Sequence, residues 1–273
     1  YPASQTMVYG HFLAALFILA GGLSILETAA NPYIIVLGPA ETATRRLNLA
    51  QAFNPVGSIL GVIIGKLFIL SQLNQASEAD RAVMGDAQLE QIQRAELSAV
   101  MGPYVAVALV IVVLWLVIAF GRFPRYADRG DLPALGPTLR RLWSHRHYVR
   151  GVVAQFFYVG AQIGVWSFTI RYVMAELGLD EDGAATYYLG AIVLFGVSRF
   201  VCTALMRWVT PRTLLGALST LAALLTAVVI FAGGYVGVVA LVAISGCMSL
   251  MFPTIYGLAI GGLGEDTKIA ASG

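Results

Sequence analysis

A glutamate stands within the first long apolar segment of the chain, in the stretch LETAANPYIIVLG at residues 26–38. An ionised carboxylate in hydrocarbon is costly, so Glu27 must be protonated, paired or open to a water-filled cavity. Because burial favours the neutral form of a carboxyl group, this position suits a side chain that carries a proton. A structural role is the alternative, in which neutral Glu27 is hydrogen-bonded to Thr28 or Asn31.

Polar side chains also recur at helical spacing in the second, fourth and seventh apolar segments, where each row would occupy one face of a continuous helix. Amide groups donate and accept hydrogen bonds and so match sugar hydroxyls, while aromatic faces pack against the C–H groups of a sugar ring. The rows predict a water-filled pathway for a polyol; hydrogen bonding between helices is the alternative. In chain order, the rows are Asn48, Gln51, Asn54 and Ser58; Gln155, Tyr158, Gln162, Trp166 and Thr169; and the weaker set Ser245, Met248, Ser249, Phe252 and Tyr256.

A second charge, Arg199, lies inside the fifth apolar segment, toward its cytoplasmic end. We expect its long side chain to extend to the membrane surface or to form an ion pair with a neighbouring helix, and not to contact substrate. It is also the candidate for the inward-facing cation that an anionic cargo would require.

The remaining reactive residue types argue against an enzyme. Membrane-embedded enzymes cluster histidines and carboxylates, whereas the three histidines here are scattered, and His145 with His147 fits a pair in a solvated loop better than a metal site. Cys202 and Cys247 lie in apolar segments, where small core residues are expected. The sequence therefore predicts no catalytic residue, no metal and no cofactor.

The composition is that of an integral membrane protein. Of the 273 residues 58% are apolar and only 12% charged, against about a quarter in soluble domains. A net charge of +2 offers no basic field for nucleic acid, so the lipid bilayer is the predicted surrounding. Long unbroken apolar runs indicate helices and not a barrel. Seven spans are predicted, at about 9–37, 48–71, 101–121, 149–174, 184–208, 212–233 and 236–262.

The loops alternate in charge, which fixes the predicted orientation. Arginines follow the first, third and fifth spans, whereas the loops at 72–100 and 175–183 are acidic, so the arginine-rich side is cytoplasmic. The arginine-rich stretch 122–148 separates three spans from four. We expect it to be a cytoplasmic linker between two helical bundles, lying against anionic lipid head groups.

Four long motifs resemble the fucose:proton symporter family of the major facilitator superfamily. They are LETAANPYIIVLGP, RLNLAQAFNPVGSILGVIIGK, FFYVGAQIGVWSFTIRY and SLMFPTIYGLAIGGLGEDTK. The resemblance implies an all-α, polytopic fold of two six-helix bundles, with the substrate between them near the midplane. The seven spans would then be helices four to ten of twelve, and the chain a fragment. Residues 1–121 would be the second half of the N-terminal bundle, 122–148 the linker, and 149–273 the first four spans of the C-terminal bundle.

The resemblance also implies roles for individual residues. Glu27 matches the intramembrane glutamate of the family, which is implicated in proton coupling and sugar binding. Gln51 and Asn54 match cavity positions that contact sugar, and the family has Gln-Tyr-Pro where this sequence has Met251-Phe252-Pro253, which leaves the identity of the sugar open. The predicted substrate-binding residues are Gln51, Asn54, Asn31, Gln162, Tyr158, Trp166 and Phe252.

These features together predict a secondary active transporter. We expect proton-coupled uptake of a neutral monosaccharide of the fucose, glucose or galactose type, by alternating access, across the inner membrane of a bacterium. The complete protein is expected to be a monomer. The alternatives are a transporter of the same fold with another cargo, such as a drug or an organic acid, and sugar uptake coupled to sodium.

Overall fold

The described part of the chain is helical. The computed structural model describes residues 8–64, 67, 68, 81, 83–122 and 135–271, and within these ranges no strand occurs. The all-α prediction is therefore confirmed. The helices are α1 (Tyr9–Val36), α2 (Ala43–Gln51), α3 (Asn54–Ile64), α4 (Asp86–Phe120), α5 (Leu135–Ser144), α6 (Arg146–Leu177), α7 (Glu181–Leu205), α8 (Pro211–Ala232), α9 (Gly234–Met248), α10 (Met251–Ile260) and α11 (Thr267–Ala270), with 3₁₀ turns at Ala40–Thr42 and Gly264–Asp266.

Six helical segments in the described ranges are long and apolar enough to cross a bilayer. They correspond to six of the seven predicted spans and are Tyr9–Val36, Ala87–Phe120, Arg146–Leu177, Glu181–Leu205, Pro211–Ala232 and Gly234–Ile260. The predicted span at 48–71 is not among them. Its helix is interrupted at Ala52 and Phe53, and residues 65, 66 and 69–71 lie outside the described ranges.

Prolines account for two helix interruptions. A helical carbonyl accepts from the N–H four residues later, and proline has no N–H. Pro55 stands four residues after Gln51, where α2 ends, and Pro253 stands four residues after Ser249, just beyond the end of α9. The expectation that Asn48, Gln51, Asn54 and Ser58 share one continuous helix face is therefore wrong, because α2 and α3 are separate helices.

By contact, the chain forms two compact units. The first comprises Tyr1–Leu26 and Ser58–Arg125, and it contains α1 up to Leu26, α3 from Ser58 onward and all of α4. The second comprises Glu27–Gly57 and Tyr126–Gly273. This grouping by contact differs from the division at 122–148, which concerns the order of spans along the chain and stays a prediction.

Within the second unit, α9 packs between α7 and α8, α10 packs against α6, and α2 packs against both α10 and α7. A core cluster forms where α6, α7 and α9 meet, and its buried members include Tyr158, Phe195, Ile244 and Met248. The polar row of α6 thereby lies on one of the helices that build this core, and α2 packs against α7, which is another of them.

The predicted linker contains a short amphipathic helix, α5. Its Thr138 and Leu142 are fully buried, whereas Trp143 is exposed. Arg141 attaches the helix to the 3₁₀ turn at Gly264–Asp266, because its Nε and Nη2 donate to the two carboxylate oxygens of Asp266 over 3.0 and 2.6 Å. This ion pair fixes α5 against the segment that follows α10.

Candidate functional site

The clearest polar contact among the predicted site residues joins α1 to α2. The Nε2 of Gln51 donates to the Oδ1 of Asn31 over 2.9 Å. Asn31 is buried, with 6% of its surface exposed, and Gln51 is half-buried. Asn31 therefore has its carbonyl satisfied, and the Oε1 of Gln51, to which none of the described residues is found to donate, can accept a bond from a ligand.

Glu27 lies one helical turn before Asn31 on α1 and is half-buried. Neither Thr28 nor Asn31 bonds to its carboxylate, and no hydrogen bond or ion pair to it is found within the described ranges. The structural alternative, in which Glu27 is locked to these two neighbours, therefore has no contact to support it. A half-exposed carboxyl group beside a pair of amides can exchange a proton and accept from a hydroxyl.

The other amides of the second span have separate surroundings. Asn48 is fully buried, and its Nδ2 donates across to α10, to the Oγ1 of Thr254 over 3.1 Å, and within α2 to the backbone oxygen of Thr44 over 2.9 Å. Asn54 begins α3 and is exposed. Asn48 thus acts between helices, as the alternative interpretation of the rows expected, while Asn54 presents its amide at the interruption.

The row on α6 divides in the same way. Tyr158 is buried, and its hydroxyl donates to the carbonyl of Met248 over 2.9 Å. Trp166 is half-buried and its Nε1 donates to the Oγ of Ser245 over 3.4 Å. Gln162 is half-buried, and none of the described residues is found bonded to its amide. Phe252, at the start of α10, packs on the cluster that contains Tyr158.

Arg199 does not behave as expected from its position in the sequence. Its side chain does not reach the surface and forms no ion pair with a described residue, because the residue is only 4% exposed and its guanidinium bonds to backbone carbonyls. Nη1 donates to the oxygen of Gln51 over 2.8 Å, and Nε donates to the oxygen of Ser249. The guanidinium carbon also lies 4.6 Å from the ring centroid of Phe195, within the range of a cation–π contact.

These contacts link the two groups of predicted residues. The backbone oxygen of Gln51 accepts from Arg199, and the guanidinium of Arg199 lies over the ring of Phe195. The ring of Phe195 in turn packs edge-on against Trp166, with centroids 5.0 Å apart. A continuous path of contacts therefore runs from the Asn31–Gln51 pair to the aromatic residues of α6. Amides at one end and aromatic faces at the other are what a monosaccharide requires.

A groove of about 840 Å³ lies between α6 and α10. It is lined mainly by apolar residues, together with Gln155 and Tyr256, and by none of the residues predicted to bind substrate. Both polar atoms of the Gln155 amide are buried and without a hydrogen-bond partner among the described residues. We therefore place the candidate site at the Asn31–Gln51 pair and not in this groove.

Two proline patterns in the sequence give a signal for the partners of Arg199, which the helical spacing of polar residues does not contain. The stretches QAFNP (51–55) and SLMFP (249–253) each place a proline four residues after a polar residue. Each pattern predicts an unpaired carbonyl inside a membrane span, which requires a donor from another helix. The described residues include no group of histidine, cysteine and carboxylate side chains that could hold a metal ion.

The family model of the Major Facilitator Superfamily matches residues 3–273 of the chain. The L-fucose-proton symporter of Escherichia coli K12 is 39% identical over 280 residues, a match that covers all of this chain and 63% of the symporter. The glucose/galactose transporter of Brucella abortus (strain 9-941) is 36% identical over 273 residues, covering 98% of this chain and 61% of that transporter. The chain therefore spans about three fifths of the length of these curated relatives, which are transporters and not enzymes.

The structure is similar to that of a transporter solved in the outward conformation, FucP. The TM-score is 0.93 at 39% sequence identity, and the match covers 99% of this chain and 67% of the FucP chain. A second FucP structure, of a variant of the E. coli fucose:proton symporter, also gives a TM-score of 0.93, at 38% identity. The helical fold, the membrane spans and the match over nearly the whole sequence agree with one another, and the chain belongs to the Major Facilitator Superfamily.

Proposed function

We propose that the protein takes up a neutral monosaccharide together with a proton, by alternating access across the cytoplasmic membrane of a bacterium. The observation that carries this proposal is the position of Glu27, which is half-buried and lies one helical turn from Asn31, whose amide is hydrogen-bonded to that of Gln51. The relatives that are named fucose-proton symporter and glucose/galactose transporter support the class of cargo.

In this proposal each polar residue has a separate task. Glu27 takes up a proton from the outer side and, once neutral, donates to or accepts from a sugar hydroxyl. Gln51, Asn31 and Asn54 bond to hydroxyls on one side of the sugar. Gln162 and Trp166, with Tyr158 and Phe252 behind them, offer an amide and apolar ring faces on the other. Release of the proton to the cytoplasm returns Glu27 to its charged form and resets the carrier.

The organisation of the complete carrier is part of the same proposal. Residues 1–121 and 149–273 belong to its two helical bundles, with the seven predicted spans as helices four to ten, and 122–148 is the cytoplasmic linker. The carrier functions as a monomer. Rocking of the bundles then opens the sugar site first to one side and then to the other.

An organic acid is a less suitable cargo, because Arg199, the cation that it would require, is buried and bonded to the carbonyls of Gln51 and Ser249. A lipophilic drug would have no use for the paired amides. Titration of purified protein with a panel of hexoses, deoxyhexoses and organic acids, followed by the fluorescence of Trp166, separates these classes. Quenching by organic acids alone would contradict the proposed cargo.

The decisive experiment compares Glu27→Gln with the unchanged full-length protein in liposomes. We expect Glu27→Gln to abolish accumulation of sugar driven by a pH gradient while exchange of labelled for unlabelled sugar continues, because a permanently neutral residue can bind but cannot release a proton. Glu41→Gln, which changes an exposed acid of the 3₁₀ turn, is the matched control and is expected to accumulate sugar normally. Uphill accumulation by Glu27→Gln, or accumulation that follows a sodium gradient, would contradict proton coupling.

A further inference from the structure

Two carbonyls in the second unit lack their helical donors. The oxygen of Gln51 would accept from residue 55 and that of Ser249 from residue 253, and both of these residues are prolines. No water is present in hydrocarbon to take the place of the missing N–H groups, so each carbonyl needs a partner from elsewhere in the protein. Both of these carbonyl oxygens, which lack their helical N–H donor, lie at the C-terminal end of a helix, where the partial charge of the helix dipole is negative.

A single side chain supplies both partners. Arg199 donates from Nη1 to Gln51 and from Nε to Ser249, and it is buried. A guanidinium group presents donors in fixed, diverging directions, so that one residue bonds to two acceptors at once. Its positive charge also complements the negative ends of the two helices, which makes these bonds stronger than those of a neutral donor.

The helix that carries Arg199 is shaped to approach the first interruption. Gly196, one turn before Arg199, leaves room for Pro55, whose Cβ would lie 3.3 Å from a side chain at that position. Phe200 packs edge-on against Phe53, with ring centroids 5.9 Å apart. Residues 196, 199 and 200 occupy one face of α7, and all three meet the interruption between α2 and α3.

We propose that Arg199 is a positioning residue. Its guanidinium takes the place of the two backbone N–H donors that are missing at Pro55 and Pro253, and it thereby fixes the two helix interruptions to one another. Gln51 and Phe252, which belong to the proposed sugar site, stand at these interruptions. The effect on sugar affinity rests on the proposed function, whereas the link between Arg199 and the prolines does not.

The test is a cycle of substitutions. Arg199→Met is made in the unchanged protein and in a Pro55→Ala/Pro253→Ala background, in which alanine restores an N–H to each position. The loss caused by Arg199→Met in the unchanged protein is compared with the loss that it causes in the alanine background, and this comparison removes the effect of the alanines themselves. Arg207→Met, at an exposed arginine beyond the end of α7, and Pro103→Ala, at a proline within the uninterrupted helix α4, are the matched controls.

We expect Arg199→Met to weaken sugar binding by about tenfold or more, since two charge-assisted hydrogen bonds are lost, and to lower the midpoint of thermal unfolding. Both losses should be smaller in the alanine background, where the backbone N–H groups take over. A purely structural or charge-related role for Arg199 would leave the losses the same in both backgrounds, and that result would overturn the proposal.

Two further readouts keep the test decisive. If Arg199→Met does not fold, Arg199→Lys carries the same cycle, because lysine keeps the charge but not the fixed pair of donors. Arg199→Lys with losses equal in both backgrounds would also overturn the proposal. If the unchanged protein binds no sugar, the proposed function fails, and the thermal unfolding of the same variants still decides whether Arg199 acts through the two prolines.

Discussion

The amides of Asn31 and Gln51 form one hydrogen bond of 2.9 Å between α1 and α2, one helical turn from Glu27. We expect Gln51→Leu to destabilise the protein by about 1–2 kcal/mol, because the Oδ1 of the buried Asn31 loses its partner. The double variant Asn31→Leu/Gln51→Leu should recover most of that stability, since replacing both partners by apolar side chains leaves neither unpaired. Thermal unfolding of the purified protein measures both effects.

Sugar affinity separates the two roles of this pair. If these amides contact the sugar, the double variant should be stable, but its affinity for sugar should be lower than that of the unchanged protein by about fivefold or more for each hydrogen bond to sugar that is lost. Recovery of sugar affinity together with stability would assign the pair a structural role only.

Asn48 and Thr254 form the second link between the interrupted helices. Thr254→Val keeps the shape of the side chain but removes the hydroxyl that accepts from Asn48 Nδ2 over 3.1 Å. Because Asn48 is fully buried, we expect a loss of about 1–2 kcal/mol in the free energy of unfolding. Thr226→Val is the matched control, since the exposed hydroxyl of Thr226 donates to the backbone oxygen of Ala222 in its own helix. Equal effects of the two substitutions would show that the Asn48–Thr254 bond contributes nothing of its own.

The sequence alone predicted the membrane class, the helical fold and six of the seven spans in their observed places, because long apolar runs leave no other solution in a bilayer. It also located the polar residues, since an amide in a span is costly wherever it lies. Spacing could not tell which amides face a pathway. Gln51 and Asn48, three residues apart, differ in surroundings because the side chain of Asn48 bonds to Thr254 of α10, whereas that of Gln51 bonds to Asn31 of α1.

The interruptions explain what the sequence analysis missed. Helical spacing assumes a continuous helix, whereas Pro55 and Pro253 end that continuity and leave carbonyls that require donors. The partner of those carbonyls, Arg199, lies 148 residues from Gln51 and 50 from Ser249, so no local pattern connects them. The rows that contain Pro55 and Pro253 are therefore each carried by two short helices whose ends must be paired, whereas α1 and α4 continue past Pro32 and Pro103.

The ion pair between Arg141 and Asp266 gives α5 a pH-dependent attachment. Hydrogen bonding to Arg141 lowers the pKa of Asp266 below its ordinary value of 3.8. The folded form thus binds the proton less tightly than the unfolded one, so the attachment is complete above pH 3.8 and is lost as the pH falls through the lower, folded pKa. Hydrogen exchange of the α5 amides, corrected for intrinsic rates, should therefore accelerate as the pH is lowered from about 6 to about 3.

Asp266→Asn is the control for this attachment, since an amide has no proton to gain in this range. We expect its α5 amides to exchange faster than those of the unchanged protein at about pH 6 and to show no further change on acidification. A pH response in Asp266→Asn as large as in the unchanged protein would assign the effect to another group.

The contact between α6 and α10 is close enough that one methyl group should disturb it. A Cβ added at Gly151 would lie 2.3 Å from the Cβ of Ala259, so α10 must move away from α6 to admit it. We expect Gly151→Ala to destabilise the protein by about 1–3 kcal/mol, as overpacking does, although alanine is the better helix former. Gly164→Ala on the same helix meets no described atom within 4 Å and should be neutral or stabilising by up to about 1 kcal/mol. Because α10 also carries Phe252 and Thr254, the displacement of α10 should weaken sugar binding in Gly151→Ala as well. If Gly151→Ala unfolds and binds sugar like the unchanged protein, the two helices are not held at this distance.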